Sequence, residues 1–340
     1  MDKSKPSAKT HPGSSDTSPI SLVPLAECPE PIRAKLFKCI DPIDLNMISR
    51  SSEYVYRDLL KQQLVGFIDA EFENGKTMLT VTSEEGAKSV IQLGRDLLEL
   101  SKSYTSLKTR TVSIKWDQRS GRNGYRSIFN SFYFLPKSLG RYKMEQGTMR
   151  FLCETLKVTS EATDDESVDQ LHASIHSFKV TKYLEIEGRM ISFIDLLNVP
   201  TFYLHSGKWL SEEDFLRLES SIAIIVLTDF ENSWKLTDIG FNLFLCKWIE
   251  GKKNVRFIEV GSPDRRPTPV TEAKMAVLGN SLDWKPTKFN SKSFELPEFK
   301  RSVTCQGGWD IKSKKGETGT ILRTKGKFTF LVWPSEVAQD

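Results

Sequence analysis

Ile222-Ala-Ile-Ile-Val-Leu227, then Leu236-Thr-Asp-Ile-Gly-Phe-Asn-Leu-Phe-Leu-Cys-Lys-Trp-Ile249, then Phe257-Ile-Glu-Val260 read as strand, helix and strand. The first and last are short aliphatic runs of strand length. The middle one is too long for a strand and carries its apolar residues at helical spacing, with Phe244, Leu245 and Trp248 expected to face the core strand at Phe257. Working outward from this unit, strand-like and helix-like segments alternate from about 148 to 261. Met149 to Leu156 and Ser177 to Ile186 read as strands bracketing an acidic loop at Thr163-Asp164-Asp165-Glu166, and Ser211 to Leu218 reads as a further helix. Strand centres near Tyr183, Phe202, Ile225 and Phe257 lie 19, 23 and 32 residues apart. That spacing leaves room for a helical return between parallel strands, as in an irregular leucine-rich-repeat-like arc without a strict consensus.

Upstream, Leu64 to Phe72 and Thr77 to Thr82 are strand-like and flank Asn74-Gly75, a hairpin signal. A helix is expected around Ala87 to Leu100 and a strand over Thr109 to Trp116. A polar loop follows at 117–127. Residues 22–61 are helical in pattern. Pro29-Glu30-Pro31 opens a segment with Ile32, Leu36, Phe37 and Ile40 at helical spacing, and Asp41-Pro42 ends it. Asp44 is placed to cap a second helix with Leu45 and Ile48; a third carries Tyr54, Val55, Asp58 and Leu59. About 40 residues is near the lower limit for independent folding, and the unit has more apolar positions than three short helices can bury. Residues 1–20 are a polar tail expected to be disordered. Downstream, 303–333 reads as short strands with turns at Gly307-Gly308, Lys315-Gly316 and Lys325-Gly326.

With 340 residues, 39% hydrophobic and 27% charged, the chain has the apolar content for a core and the length for roughly two domains. The 48 Lys+Arg nearly balance 44 Asp+Glu, which excludes a histone-like polycation. The charge is nevertheless uneven. Residues 261–330 hold 14 Lys+Arg against 7 Asp+Glu, so the rest of the chain is slightly acidic. This basic segment interleaves Lys with Trp284, Phe289, Phe294, Phe299 and Trp309, the composition a single-stranded nucleic-acid site would use, and nucleic acid binding is the alternative function. A solvated face around core aromatics accounts for the same pattern more simply. The five Cys (Cys28, Cys39, Cys153, Cys246, Cys305) contain no CxxC pair. With no apolar leader and no membrane-length run, the chain is expected to be soluble and intracellular, in cytoplasm or nucleus.

Chemical motifs are weak. Ala70-x4-Gly75-Lys76-Thr77 matches a relaxed phosphate loop, but Met78-Leu-Thr-Val-Thr continues as a strand where that loop needs a helix. His172-x3-His176 puts two imidazoles on one helix face, yet Ala173 replaces the Glu of the zinc-protease pattern and no third ligand stands out, so ordinary surface histidines are the expectation. Asp164-Asp165-Glu166 reads as a solvated acidic loop and not a cation site. No catalytic residue, metal site or cofactor is expected.

Residues 22–61 resemble an F-box. Pro29-Glu30-Pro31-Ile32, Leu36, Ile40, Asp41-Pro42, Asp44-Leu45 and Ile48-Ser49 follow that family's order, with Cys28 where the family usually has Leu and a third helix lacking the common aromatic. A second stretch, about 195–262, is similar to the type-2 F-box-associated domain of the expanded nematode F-box families. It does so through Trp209 to Phe215, Leu236-Thr237-Asp238, Asn242, Phe244-Leu245, Lys247-Trp248-Ile249, Gly251 and Asn254 to Val260. Asp310-Ile311-Lys312 to Ile321 is similar to the closing hairpin of these proteins, with Gly319 in place of the usual Ala. The resemblance implies an α/β protein with a three-helix F-box over 22–61 and an associated domain over 64–340. It implies a non-catalytic substrate receptor of a Skp–cullin–F-box ubiquitin ligase. The Skp-type adaptor would be bound by Pro29, Pro31, Ile32, Leu36, Ile40, Pro42, Leu45 and Ile48, and a target protein by exposed loops such as 117–127 or 261–270.

Overall fold

The computed structural model describes residues 27–51, 57, 59, 61–62, 64–73, 76–92, 104, 106–116, 142–145, 148–188, 198–205, 210–226, 238–261, 283–288, 291–324 and 327–334. Two helices come first, α1 (Glu30–Cys39) and α2 (Pro42–Ser51). Then follow β1 (Val65–Glu73), β2 (Lys76–Ser83), β3 (Lys88–Gln92), β4 (Ser106–Trp116), β5 (Tyr142–Glu145) and β6 (Thr148–Ser160). Next are α3 (Asp165–His176), β7 (Phe178–Glu187), β8 (Thr201–Leu204), α4 (Glu212–Arg217), β9 (Ile222–Val226), α5 (Asp238–Ile249) and β10 (Phe257–Gly261). The chain closes with β11 (Trp284–Pro286), β12 (Lys292–Leu296), β13 (Arg301–Cys305), β14 (Trp309–Lys312), β15 (Thr318–Thr324) and β16 (Lys327–Val332). The architecture is mixed α/β and strand-rich. Among the described residues no helix is long and apolar enough to cross a membrane.

Among the described residues one sheet of 14 strands organises the fold, in the order β11-β14-β15-β16-β10-β9-β8-β7-β6-β4-β1-β2-β3, with β5 paired to β6. From β1 through β4, β6, β7, β8 and β9 to β10, each strand of this run pairs parallel with the next one named. Spatial order and chain order therefore coincide along this run. Three of the crossovers contain α3, α4 and α5, because a parallel neighbour needs a long return. Both ends of the run turn antiparallel: β1–β2–β3 at one, β10–β16–β15–β14–β11 at the other.

The pleat assigns each row of the sheet to one side. Leu184, Phe202, Ala223 and Ile258 are aligned and fully buried. They join Phe215 of α4 and Phe241, Phe244, Leu245 and Trp248 of α5 in one core. Phe241 stacks on Phe328 at 4.1 Å and Trp248 meets Phe330 edge-on at 4.9 Å. The strand at Phe257 packs on α5 as expected, through Ile258 and Val260, while Phe257 itself points the other way and stacks on Phe294 at 5.7 Å. The reason is the strand period of two, which sends neighbours to opposite faces. On that second side the β12–β13 hairpin covers β9, β10, β15 and β16 with Phe294, Leu296, Val303 and Cys305.

Several local expectations are corrected. Lys88–Gln92 is a strand, not the start of a helix. Ser89 and Ile91 are buried and Val90 is 63% exposed, an alternation that pairing with β2 imposes on residues also compatible with a helix. Thr163 to Glu166 is not a loop between strands. Asp164 accepts from the Ser167 N–H at 2.7 Å and caps α3, so Asp165 and Glu166 lie in its first turn, where the helix dipole favours negative charge. Asp44 does not cap α2. Asp41 Oδ1 accepts from the N–H groups of Ile43 (2.9 Å) and Asp44 (3.4 Å), and Pro42 occupies the first helical position. Of the expected third helix, Arg57, Leu59 and Lys61 are helical, while Tyr54, Val55 and Asp58 lie outside the described residues, as do the 1–20 tail and the 117–127 loop.

Candidate functional site: two exposed surfaces

The α1–α2 pair has a buried side and an open side. Phe37 and Leu45 are fully buried and join the main core, with Ile40 and Ile48 packed partly against it. The joint with the sheet is polar as well as apolar. Ser89 of β3 donates to Asp41 Oδ1 at 2.5 Å and accepts from the Ile43 N–H at 3.1 Å, and Lys38 pairs with Glu84 at 2.8 Å. On the other side Ile32 (53% exposed), Leu36 (38%), Ile43 (39%) and Met47 (57%) face outward. Each helix thus shows an i,i+4 apolar pair, the spacing that lines up side chains on one helical face. Of the expected adaptor residues, Pro29, Pro31, Ile32 and Leu36 are exposed, Ile40 and Ile48 are half-buried, and Pro42 and Leu45 are buried in the joint. Ile43 and Met47 were missed by the sequence reading. Their signal was the i,i+4 spacing, offset from Leu45 and Ile48.

The second surface is the sheet face opposite the helices, over β1, β4, β6, β7 and β8. Its residues alternate half-buried or exposed with the buried core row. Charges of opposite sign face each other across the strands. Arg110 pairs with Asp69, Lys115 with Glu71 (3.0 Å) and Glu73 (3.4 Å), Lys182 with Glu154 (2.8 Å), and Lys157 with Glu185 (2.9 Å). Beside the β12–β13 hairpin this ladder meets an aromatic cluster. Phe299 lies 5.8 Å from Tyr183 and 5.6 Å from Tyr203, Tyr203 lies 4.3 Å from His205, and Lys157 sits over Tyr183 at 5.8 Å. Glu185 is the hub. His205 Nε2 lies 3.0 Å from its Oε1, and Lys157 and Tyr183 also bond it. Burial alone would raise the Glu185 pKa, but hydrogen bonds from His205, Lys157 and Tyr183 outweigh it and hold the carboxyl below its ordinary value. Burial, with Glu185 alongside, pushes the Tyr183 phenol well above its usual range. This surface was not legible in sequence, because its members come from five strands.

The remaining motifs resolve individually. Lys76 and Thr77 open β2, with Glu73 paired to Lys76, so no helix follows the Gly75-Lys76-Thr77 stretch to cradle a phosphate. In the basic segment Phe294 and Trp309 are buried, and Trp284 packs on Trp309 at 4.4 Å. Arg301 and Lys327 both bind Glu259, which is itself 1% exposed. The described aromatics there are thus core or near-core, and two of the cations serve an internal carboxylate. Residues 262–270 lie outside the described residues. Among the described residues, no group of three or more His, Cys, Asp or Glu is placed to hold a metal ion.

Comparison of the chain with family models, with curated proteins and with solved structures finds no match.

Proposed function

We propose that the chain is a substrate-recruiting F-box subunit of a Skp–cullin–F-box ubiquitin ligase, non-catalytic and acting in cytoplasm or nucleus. The observation that carries the reading is the outward apolar face of α1 and α2. Ile32, Leu36, Ile43 and Met47 are each at least 38% exposed, on helices whose other side is anchored to the sheet. Exposed apolar groups on a rigidly held helical pair suit a protein interface, where burial of such area drives association. Pro29 and Pro31 enter α1 beside this face. The order of residues resembling the F-box and its associated domain supports the same reading, and the sequential parallel strands agree with a repeat-like arc that carries a target protein. The role of an F-box receptor is to bring a target near catalytic subunits, so it requires binding surfaces and no catalytic group of its own.

The test is co-purification of the full chain with a Skp-type adaptor. The Ile32→Asp/Leu36→Asp double variant is expected to lose the adaptor while keeping the circular dichroism and thermal transition of the parent. Retained adaptor in that variant, or no adaptor with the parent chain, overturns the proposal.

A further inference from the structure

We infer that His172 and His176 form a chelating site for a divalent ion of the Zn²⁺ or Cu²⁺ class on the flank of α3. This inference is independent of the adaptor reading. The two residues are one turn apart on a twelve-residue helix. That helix is held at its start by the Asp164 cap and along its length by buried Val168, Leu171 and Ile175. The buried stripe leaves positions 172 and 176 together at the edge of the helix–sheet contact, and both side chains are half-buried.

The geometry is specific to the side-chain tips. The two Nε2 atoms are 3.0 Å apart, the ring centroids 4.2 Å, and the rings stand at 75° to one another. Two imidazoles sharing one ion at about 2.0–2.1 Å each need their nitrogens about 2.9–3.4 Å apart, for angles between square-planar and tetrahedral. The observed separation falls in that window. Without an ion the same contact is a hydrogen bond in which one Nε2–H donates to the other Nε2. With an ion, the donated proton moves through solvent to Nδ1 of its own ring, so that both imidazoles stay neutral and both Nε2 lone pairs are available to the metal. Capping and the buried stripe fix the helix beforehand, so little ordering remains when the ion binds.

Among the described residues no third His, Cys, Asp or Glu completes the set. The remaining coordination positions of a two-histidine chelate are filled by water. Imidazole ligands suit Cu²⁺ and Zn²⁺, with Cu²⁺ the tighter by the usual order of divalent metals.

The test uses the full chain, prepared without an affinity tag, and the metal alone. Titration with Cu²⁺ is followed by calorimetry and by nitrogen hyperfine structure in the electron paramagnetic resonance spectrum. A repeat with Zn²⁺ is read as a rise in the thermal transition. One equivalent should bind with nitrogen coordination. His172→Gln and His176→Gln, each checked for helix content, should weaken that binding at least tenfold, whereas His205→Asn should not. No stoichiometric binding, or binding unchanged in both glutamine variants, overturns the assignment.

Discussion

Replacing Gly319 by Ala is expected to destabilise the protein, against the usual sign for such a change. Gly319 lies on β15, paired with Ile311 of β14 and Val332 of β16. Its φ is not among the positive ones, so an alanine can adopt the backbone without strain. On backbone grounds alone, Ala would stabilise by about 0.4–1 kcal/mol, through the smaller entropy of the unfolded chain. The space decides otherwise. A Cβ there would lie 2.5 Å from Cε2 and Cζ of Phe330 and 3.0 Å from Cη2 of Trp248. Phe330 and Trp248 are 0% and 1% exposed, so neither ring can swing into solvent. Their edge-to-face contact also locks α5 to the sheet. Overpacking of this kind costs about 1–3 kcal/mol. Taking the upper end for a clash with two buried rings, the net loss is about 2 kcal/mol. Guanidinium unfolding of Gly319→Ala should show a lower midpoint at unchanged slope. Gly319→Ala/Phe330→Leu should be less destabilised than the sum of its single changes, with a coupling of about 1 kcal/mol. A single variant as stable as the parent, or a strictly additive double variant, would refute the packing argument.

Four further expectations follow from named contacts and burial. Glu259→Gln should cost about 3–5 kcal/mol in chemical unfolding, because the charge facing buried Lys327 is lost; the added change Lys327→Met should recover much of it. Glu185 has a folded pKa below its ordinary value of 4.5, so its contribution to stability is present above about pH 4.5 and lost as the pH falls through the folded value; Glu185→Gln should flatten the acid limb of stability against pH, and an unaltered limb would count against the hub. Leu45→Ala should lower stability by about 2–5 kcal/mol, as for other buried leucines; Met47→Asp, at an exposed position, should leave stability within about 0.5 kcal/mol and, on the proposed reading, weaken capture of a Skp-type adaptor in a pull-down.

Local pattern determined a good deal. The antiparallel pairing of β1 with β2, the strands at 106–116, 148–160 and 178–187, the helix ending at Ile249 and the antiparallel closing strands are readable because period and turn chemistry are local properties. The spacing of Tyr183, Phe202, Ile225 and Phe257 even anticipated parallel neighbours. The departure at Gly319 was visible too, but its reason was not: the missing methyl makes room for two rings, Phe330 from the neighbouring strand β16 and Trp248 from α5, about 70 residues back in the chain.

Tertiary structure decided which face each residue serves. Val90 and Ile91 suit a helix until the β2 edge claims them as a strand. Leu45, which the F-box pattern placed on the adaptor side, turns inward because α2 must seal the sheet edge, and Ile43 and Met47 are left outside. Glu185 acquires His205, Lys157 and Tyr183 only when three strands come into register. His172 and His176 were legible as a pair, but the distance between their Nε2 atoms was not. Sequence periodicity specifies that a residue is buried or exposed on its own element; which partner buries it depends on contacts between residues distant in the chain, and those exist only after folding.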